Sequence, residues 1–216
     1  MLYVLATPIG NLQDISKRAS GVLATSDVIA CEDTRVTAKL LQHLGLKKEV
    51  IAVHSHNEGE ATKRLLTLLL EGQKVALVSD AGTPLISDPG SLLVRNAHEN
   101  NITVVPIPGP CAVSCLLSAS GFHSDSYTML GFFPRKGEER SRTIQQVKNS
   151  TVPTVFFESP NRIHKTLMVL SEHLEKEREI VIGREMTKKF ETIERKSVVS
   201  WLEKLPREQG EFTVAI

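Results

Sequence analysis

In the first half of the chain, short apolar and β-branched runs alternate with longer stretches whose apolar residues recur every three or four positions. The runs predict strands over 2–6, 28–31, 50–53, 74–79 and 103–106. The stretches between them predict helices over 14–24, 34–44, 59–71 and 90–100. In 61–71, for instance, Leu65, Leu66, Leu68, Leu69 and Leu70 make one broad apolar face. Strands regularly interleaved with helices are the pattern of an α/β protein built on a mostly parallel sheet.

After Pro106-Ile107-Pro108-Gly109-Pro110 comes a helix of small residues through Ser118, and then a hinge over 121–126. Beyond it, strands are expected over 127–132, 154–158, 179–184, 190–196 and 212–216, with helices over 138–148, 160–174 and 197–205. Ser159 before Pro160 reads as a helix start in which proline gives up a donor that had no partner. The expected domains are 1–120 and 121–216.

Composition narrows the class without naming it. The 216 residues are 41% hydrophobic and 24% charged, which is globular, and 26 basic against 25 acidic side chains leave no global field to attract nucleic acid. Residues 135–216 carry 16 basic and 13 acidic groups, so a basic patch is expected there rather than in 1–134, with 10 and 12. Cys31, Cys111 and Cys115 cannot all pair and lack zinc-ligand spacing, which fits a reducing cytosol and no metal. Neither an export signal nor a run long enough to span a bilayer is expected.

Dinucleotide, P-loop, nucleophile-elbow and zinc-protease signatures are all missing. What remains are Gly/Pro-punctuated loops at the carboxyl ends of the expected strands, where open α/β sheets bind ligands. Thr7-Pro8-Ile9-Gly10-Asn11 follows the first strand and could bring backbone close to a ligand or simply turn the chain. Glu32-Asp33-Thr34-Arg35 follows the second; Asp33 is equally a helix N-cap with an Arg partner. The segment 79–90 (SDAGTPLISDPG) packs two Asp, two Gly and two Pro into twelve residues, more turn chemistry than a crossover needs, and reads as a ligand loop. Pro106–Pro110 makes a rigid wall before backbone donors at Cys111 and Ala112, or a kinked linker. His54 and His56 alternate and so are expected on opposite faces, against shared metal ligation. Cys111 and Cys115 read as small core residues. The charged run 135–142, with Arg140 and Arg142, either grips phosphates or is solvated.

Taken together and in order, LATPIGNLQDI, ACEDTR, HSHNE, ALVSDAGTPLISDPG, VVPIPGPCA, FFESPNR and REMTKKFETI resemble the ribosomal RNA small subunit methyltransferase I family, a branch of the tetrapyrrole-methylase-like (class III) methyltransferases. The similarity runs across essentially the whole chain. It implies a two-domain α/β fold, with a mostly parallel N-terminal sheet and a mixed C-terminal sheet, a homodimer, and S-adenosylmethionine bound in the cleft between domains. The implied reaction is 2′-O-methylation of a decoding-centre cytidine in 16S rRNA, on the RNA or the small ribosomal subunit.

Carried over by position, the resemblance assigns cofactor binding to Gly82, Thr83, Pro84, Ile86, Cys111 and Ala112, and to Phe157, Met186 and Thr187, and it places Thr7, Pro8, Asn11, Glu32, Asp33 and Arg35 in loops nearer the acceptor; Thr7, Pro8, Ser79, Ala81, Pro108 and Gly109, in the same loops, are expected cofactor contacts as well. Asn11, Arg35, Arg140, Arg142, Arg162 and Lys188 are the expected RNA contacts. A ribose hydroxyl is a poor acid, so a carboxylate base is expected among Asp80, Glu32, Asp33 and Glu158. The chain departs from the family in Ser55, in Asn161 before Arg162, and in ending at a strand beyond which relatives continue with a helical segment. The rival readings are a C-methyltransferase of tetrapyrrole precursors and a non-catalytic RNA-binding or assembly protein.

Overall fold

The computed structural model describes all 216 residues, which pack as two units, Met1–Cys111 and Ala112–Ile216. The first is built on β1 (Leu2–Leu5), β2 (Val28–Cys31), β3 (Glu49–Ala52), β4 (Val75–Val78) and β5 (Val104–Ile107), all parallel, in the order β3-β2-β4-β1-β5. Strand side chains alternate between two faces. Leu2, Ala30 and Leu77 face α3 (Glu58–Leu70) and α4 (Ser91–Glu99), which contribute Leu65, Leu69, Leu93 and Ala97. Leu5, Ile29, Cys31 and Ala76 face α1 (Lys17–Thr25) and α2 (Thr34–His43), which contribute Ala19, Leu23 and Leu40. Because both faces are covered, these strands read as continuous apolar runs, and burying each Leu or Ile contributes about 1.5–3 kcal/mol.

The crossovers β1→β2 and β2→β3 use the face of α1 and α2, whereas β3→β4 and β4→β5 use the other. Connections therefore leave the carboxyl ends of β2 and β4, and of β4 and β1, toward opposite faces. That reversal is a topological switch point, which opens a crevice at those ends.

The second unit holds α5 (Ala112–Ser120), β6 (Thr128–Phe132), α6 (Gly137–Asn149), β7 (Thr154–Glu158), α7 (Ile163–Ser171), β8 (Glu179–Arg184), β9 (Thr192–Ser197), α8 (Val198–Glu203) and β10 (Phe212–Ala215). Its sheet runs β6-β7-β10-β8-β9, with only β6 and β7 parallel. Phe133, Phe156, Ile163, Leu167, Ile182, Trp201 and Val214 form its core with α6, α7 and α8. Helix α5 packs on β8, β9 and β10. The chain thus divides before α5, whereas the sequence reading places α5 in the first domain and the hinge after it. No helix is long and apolar enough to cross a membrane.

Three local expectations change. The helix expected over 14–24 begins at Lys17, because Ser16 caps it by accepting from the Ala19 amide and Leu12–Asp14 forms a separate 3₁₀ turn. Pro160 does not start α7; Ser159 O accepts from the amides of Arg162 and Ile163, which spends residues 159–162 on a turn. His54 and His56 lie past the end of β3, so strand alternation does not separate them, and their rings meet edge-on at 6.1 Å.

Candidate functional site

Three loops lock together at the carboxyl ends of β1, β4 and β5. Thr7 and Gly82 form a two-hydrogen-bond bridge (2.9 and 3.1 Å), Thr7 Oγ1 donates to Ser79 O, and Ser79 Oγ donates to Gly82 O, both at 3.0 Å. Thr83 Oγ1 donates to Pro110 O at 3.1 Å. Gly82 turns there with φ +88°, and a Cβ on Gly109 would lie 3.0 Å from that of Ala6. Leu85, not a glycine, is held at φ +72°, strain of the kind that collects at functional sites.

Gly90 ends the loop at φ +114°, where a Cβ would lie 2.9 Å from Leu77. It has no side chain with which to cap α4. Glu58 of α3 takes that role from across the fold: its Oε1 accepts from the amides of Gly90 (2.9 Å) and Leu92 (3.2 Å). Nothing in the spacing of residues 58 and 90 reveals that cap.

The loops expected to carry the cofactor are therefore rigid, while parts of them stay open. Thr7, Pro8, Ser79, Gly82 and Pro84 are buried and give the site its shape; Ala81, Ile86, Pro108 and Gly109 are exposed. No hydrogen bond within the chain engages Ala81. Cys111 and Ala112 are half-buried, as is Cys115, so Cys111 and Cys115 are not core residues, and Cys111 precedes α5 rather than sharing its face.

At the switch point the ends of β2 and β4 meet. The Asp33 amide donates to Asp80 Oδ1 at 3.0 Å, and Asp80 lines a cavity of 180 Å³ with Thr7, Pro8, Leu12, Val36 and Lys39. Burial, followed by the charge of Asp33, pushes the Asp80 carboxyl above its usual range. Glu32 is pushed up by burial and then by Asp80, Asp88 and Asp33. Asp88 is raised by burial and then by the charge of Asp80. Asp33 goes the other way: it caps α2 and is gripped by the Arg35 guanidinium, which brings it down to about 2. Asp88 was not among the carboxylates expected here, because only the fold of residues 79–90 brings it back beside Ser79.

In the second unit Glu158 is fully buried, and its oxygens are taken by the Ser159 amide, Arg162 and Thr166 Oγ1. It pins the turn between β7 and α7 with both oxygens engaged, unlike the open carboxylate expected of a base. Arg162 also donates to Phe133 O and Ser159 Oγ, so it clamps this turn rather than waiting for RNA. Lys188 bridges Glu185 and Glu211. It fixes a loop in which Glu185 (φ +51°) and Thr187 (φ +66°) adopt left-handed backbone, and Met186 is buried against Gly183. Phe157 is half-buried beside Phe132. Arg35 and Arg142 are exposed with carboxylate partners; Arg140 stacks over Phe133 and donates to Arg135 O. Asn11 caps the 3₁₀ turn.

Comparison with known proteins places this geometry. The family profile for Tetrapyrrole (Corrin/Porphyrin) Methylases matches residues 1–200. Ribosomal RNA small subunit methyltransferase I of Vibrio cholerae is 46% identical over 220 aligned residues, covering 100% of this chain and 76% of that protein. Among solved structures, diphthine synthase matches with TM-score 0.77 at 13% identity, covering 100% of this chain and 90% of that one. Uroporphyrin-III-C-methyltransferase from Thermus thermophilus matches with TM-score 0.67 at 17% identity, covering 99% and 93%. At those identities the structural likeness speaks for the fold alone.

Proposed function

This chain belongs to the tetrapyrrole methylase family, in the branch of the ribosomal RNA small subunit methyltransferases I, and from that membership we propose that it methylates the ribose 2′-hydroxyl of a decoding-centre cytidine in 16S rRNA with S-adenosylmethionine as donor. The observation that carries the substrate is the 46% identity, sustained along the whole chain, to a protein named for small-subunit ribosomal RNA. A homodimer in the cytosol is part of the same proposal.

The residues of the first unit fit the donor. S-adenosylmethionine supplies a methyl group already activated on a sulfonium, which leaves orientation, exclusion of water and proton acceptance to the protein. Glu32, Asp80 and Asp88 form an acidic cluster that complements a cation. The free backbone of Ala81 and the exposed side chain of Ile86 offer hydrogen bonds and an apolar wall, on a loop whose shape is already set by Thr7, Gly82 and Thr83. Orientation by such a pre-formed loop is worth on the order of 7–11 kcal/mol in favourable cases. In the second unit, Phe157, Met186 and Thr187 are the proposed cofactor contacts.

Among the carboxylates, Asp80 suits the base best. Its Oδ1 is steadied by the Asp33 amide, its Oδ2 makes no hydrogen bond, and its raised proton affinity favours taking the hydroxyl proton. Asp33, held down by Arg35, is a weak base, and Glu32 serves to raise the local negative charge.

Calorimetric titration with S-adenosylmethionine, followed by tritiated-methyl transfer to small ribosomal subunits and mapping of the label, tests this reading. Binding with label on one decoding-centre ribose is the expected result. Label on a base, or binding with no transfer to either rRNA or subunits, overturns the acceptor; no binding overturns the donor.

A further inference from the structure

The second unit contains a cavity of 490 Å³ between the end of the β8–β9 hairpin, α8 and the segment that follows it. Its volume lies in the range that encloses one small ligand or one nucleotide. Five basic side chains line it, Arg184, Lys189, Lys196, Lys204 and Arg207, against Glu191 and Glu194. Both acids are already engaged: Glu191 accepts from the Thr187 amide, and Glu194 pairs with Lys196.

Arg184 is the unusual member. It is only 8% exposed, yet no carboxylate pairs with it; Nε and Nη1 donate to the carbonyls of Gln209 and Phe190. A buried guanidinium that donates to two carbonyls and feels the charge of Glu185 without pairing with it can still accept an anion at its open side. Lys189, Lys204 and Arg207 form no ion pair in the chain, although carboxylates are plentiful in this unit.

The cavity also carries aromatic surface. Trp201 is buried, with its Nε1 donating to Ile180 O and the Lys196 ammonium 4.3 Å from its ring. Phe190, in contrast, is 62% exposed at the rim, with the Lys189 ammonium 5.6 Å from its ring. An exposed ring with a cation beside it is an arrangement that stacks a nucleobase while neighbouring charges hold phosphate. Both rims are pre-formed. The left-handed Glu185 and Thr187, with Lys188, fix one; His164, set between Glu208 and Pro206 O, fixes the other.

We propose that this cavity binds a nucleotide of single-stranded RNA, with its phosphate on Arg184, Lys204 and Arg207 and its base stacked on Phe190. The proposal rests on the ribosomal RNA reading above and adds to it a contact that lies outside the loops of the first unit.

The test is fluorescence anisotropy of a labelled single-stranded RNA of about 12 nucleotides on the full chain, across a series of salt concentrations. Expected for Lys189→Ala/Lys204→Ala/Arg207→Ala is a loss of roughly tenfold or more in affinity and a salt slope shallower by roughly 0.7, the amount for one phosphate contact. Phe190→Ala should lose roughly tenfold with its slope unchanged, since stacking releases no counterions. Lys47→Ala/Lys63→Ala, exposed in the first unit, is the charge control. All four altered side chains at the cavity are exposed, so thermal midpoints should stay with the wild type. If the wild type binds RNA and the triple variant binds it with equal affinity and slope, the cavity assignment fails and the proposed function stands. If the wild type binds S-adenosylmethionine but no RNA, the reading beneath it fails. If inorganic phosphate or cytidine monophosphate fills the cavity without competing with the oligonucleotide, it is a free-anion site and the RNA assignment is overturned.

Discussion

The Asp33 amide donates to Asp80 Oδ1 at 3.0 Å, tying the end of β2 to the end of β4 where the crossovers of the sheet part to opposite faces. One carboxylate of the pair is surrendered to Arg35, and the other is left with an oxygen free at the cavity wall.

Asp80→Asn should lower methyl transfer by roughly 10²–10⁴-fold while leaving S-adenosylmethionine affinity within a few-fold. Single-turnover rates and calorimetry on the same preparation separate the two effects. The acid limb of the wild-type rate profile should also lie above the ordinary aspartate value, because burial raises Asp80.

Glu32→Gln should stabilise the protein at pH 7. A carboxyl raised in the folded state binds more protons there than when unfolded, so its contribution to stability falls as pH rises through the window above 4.5. Removing the charge should raise the thermal midpoint by roughly 1–3 °C at pH 7, and the gain should vanish as pH drops to 4. Melting curves at several pH values would show it.

Asp33→Asn has the opposite sign. Its folded value of about 2 lies below the ordinary 3.8, so its stabilising contribution is complete above 3.8 and lost as pH falls toward 2. The variant should melt below the wild type at neutral pH and converge with it in acid, as differential scanning calorimetry can record.

Glu158→Ala should act on stability rather than chemistry. It strips the buried partner from Arg162 and Thr166 and should cost about 3 kcal/mol in urea unfolding. The rate per folded molecule should stay near wild type; a selective loss of rate with stability intact would return Glu158 to the list of bases.

Gly90→Ala should cost about 1–3 kcal/mol, since φ is +114° and the new Cβ meets Leu77 at 2.9 Å. Glu58→Ala should cost about 1 kcal/mol by uncapping α4. Urea midpoints of both variants check that the loop at 79–90 is held by its far end.

The order of strands and helices and the turn-dense segment at 79–90 were legible from sequence because they are local, whereas the division between the two units falls before α5 and not after it. Apolar runs and 3.6-residue periods report burial on one or both faces, and Gly and Pro report backbone angles that neighbours cannot override. What each carboxylate does was decided by the tertiary structure. Glu158 and Asp80 both stand at strand ends, but the fold surrounds one with three donors and leaves the other an open oxygen. Asp88 and Glu58 acquire their roles only when distant segments meet. The five cations of the second-unit cavity, Arg184 among them, come together through a hairpin, the end of a helix and a loop that share no spacing pattern. Hydrogen bonds and charge act over a few ångströms in space and are blind to distance along the chain, so their partners are set when the sheets close.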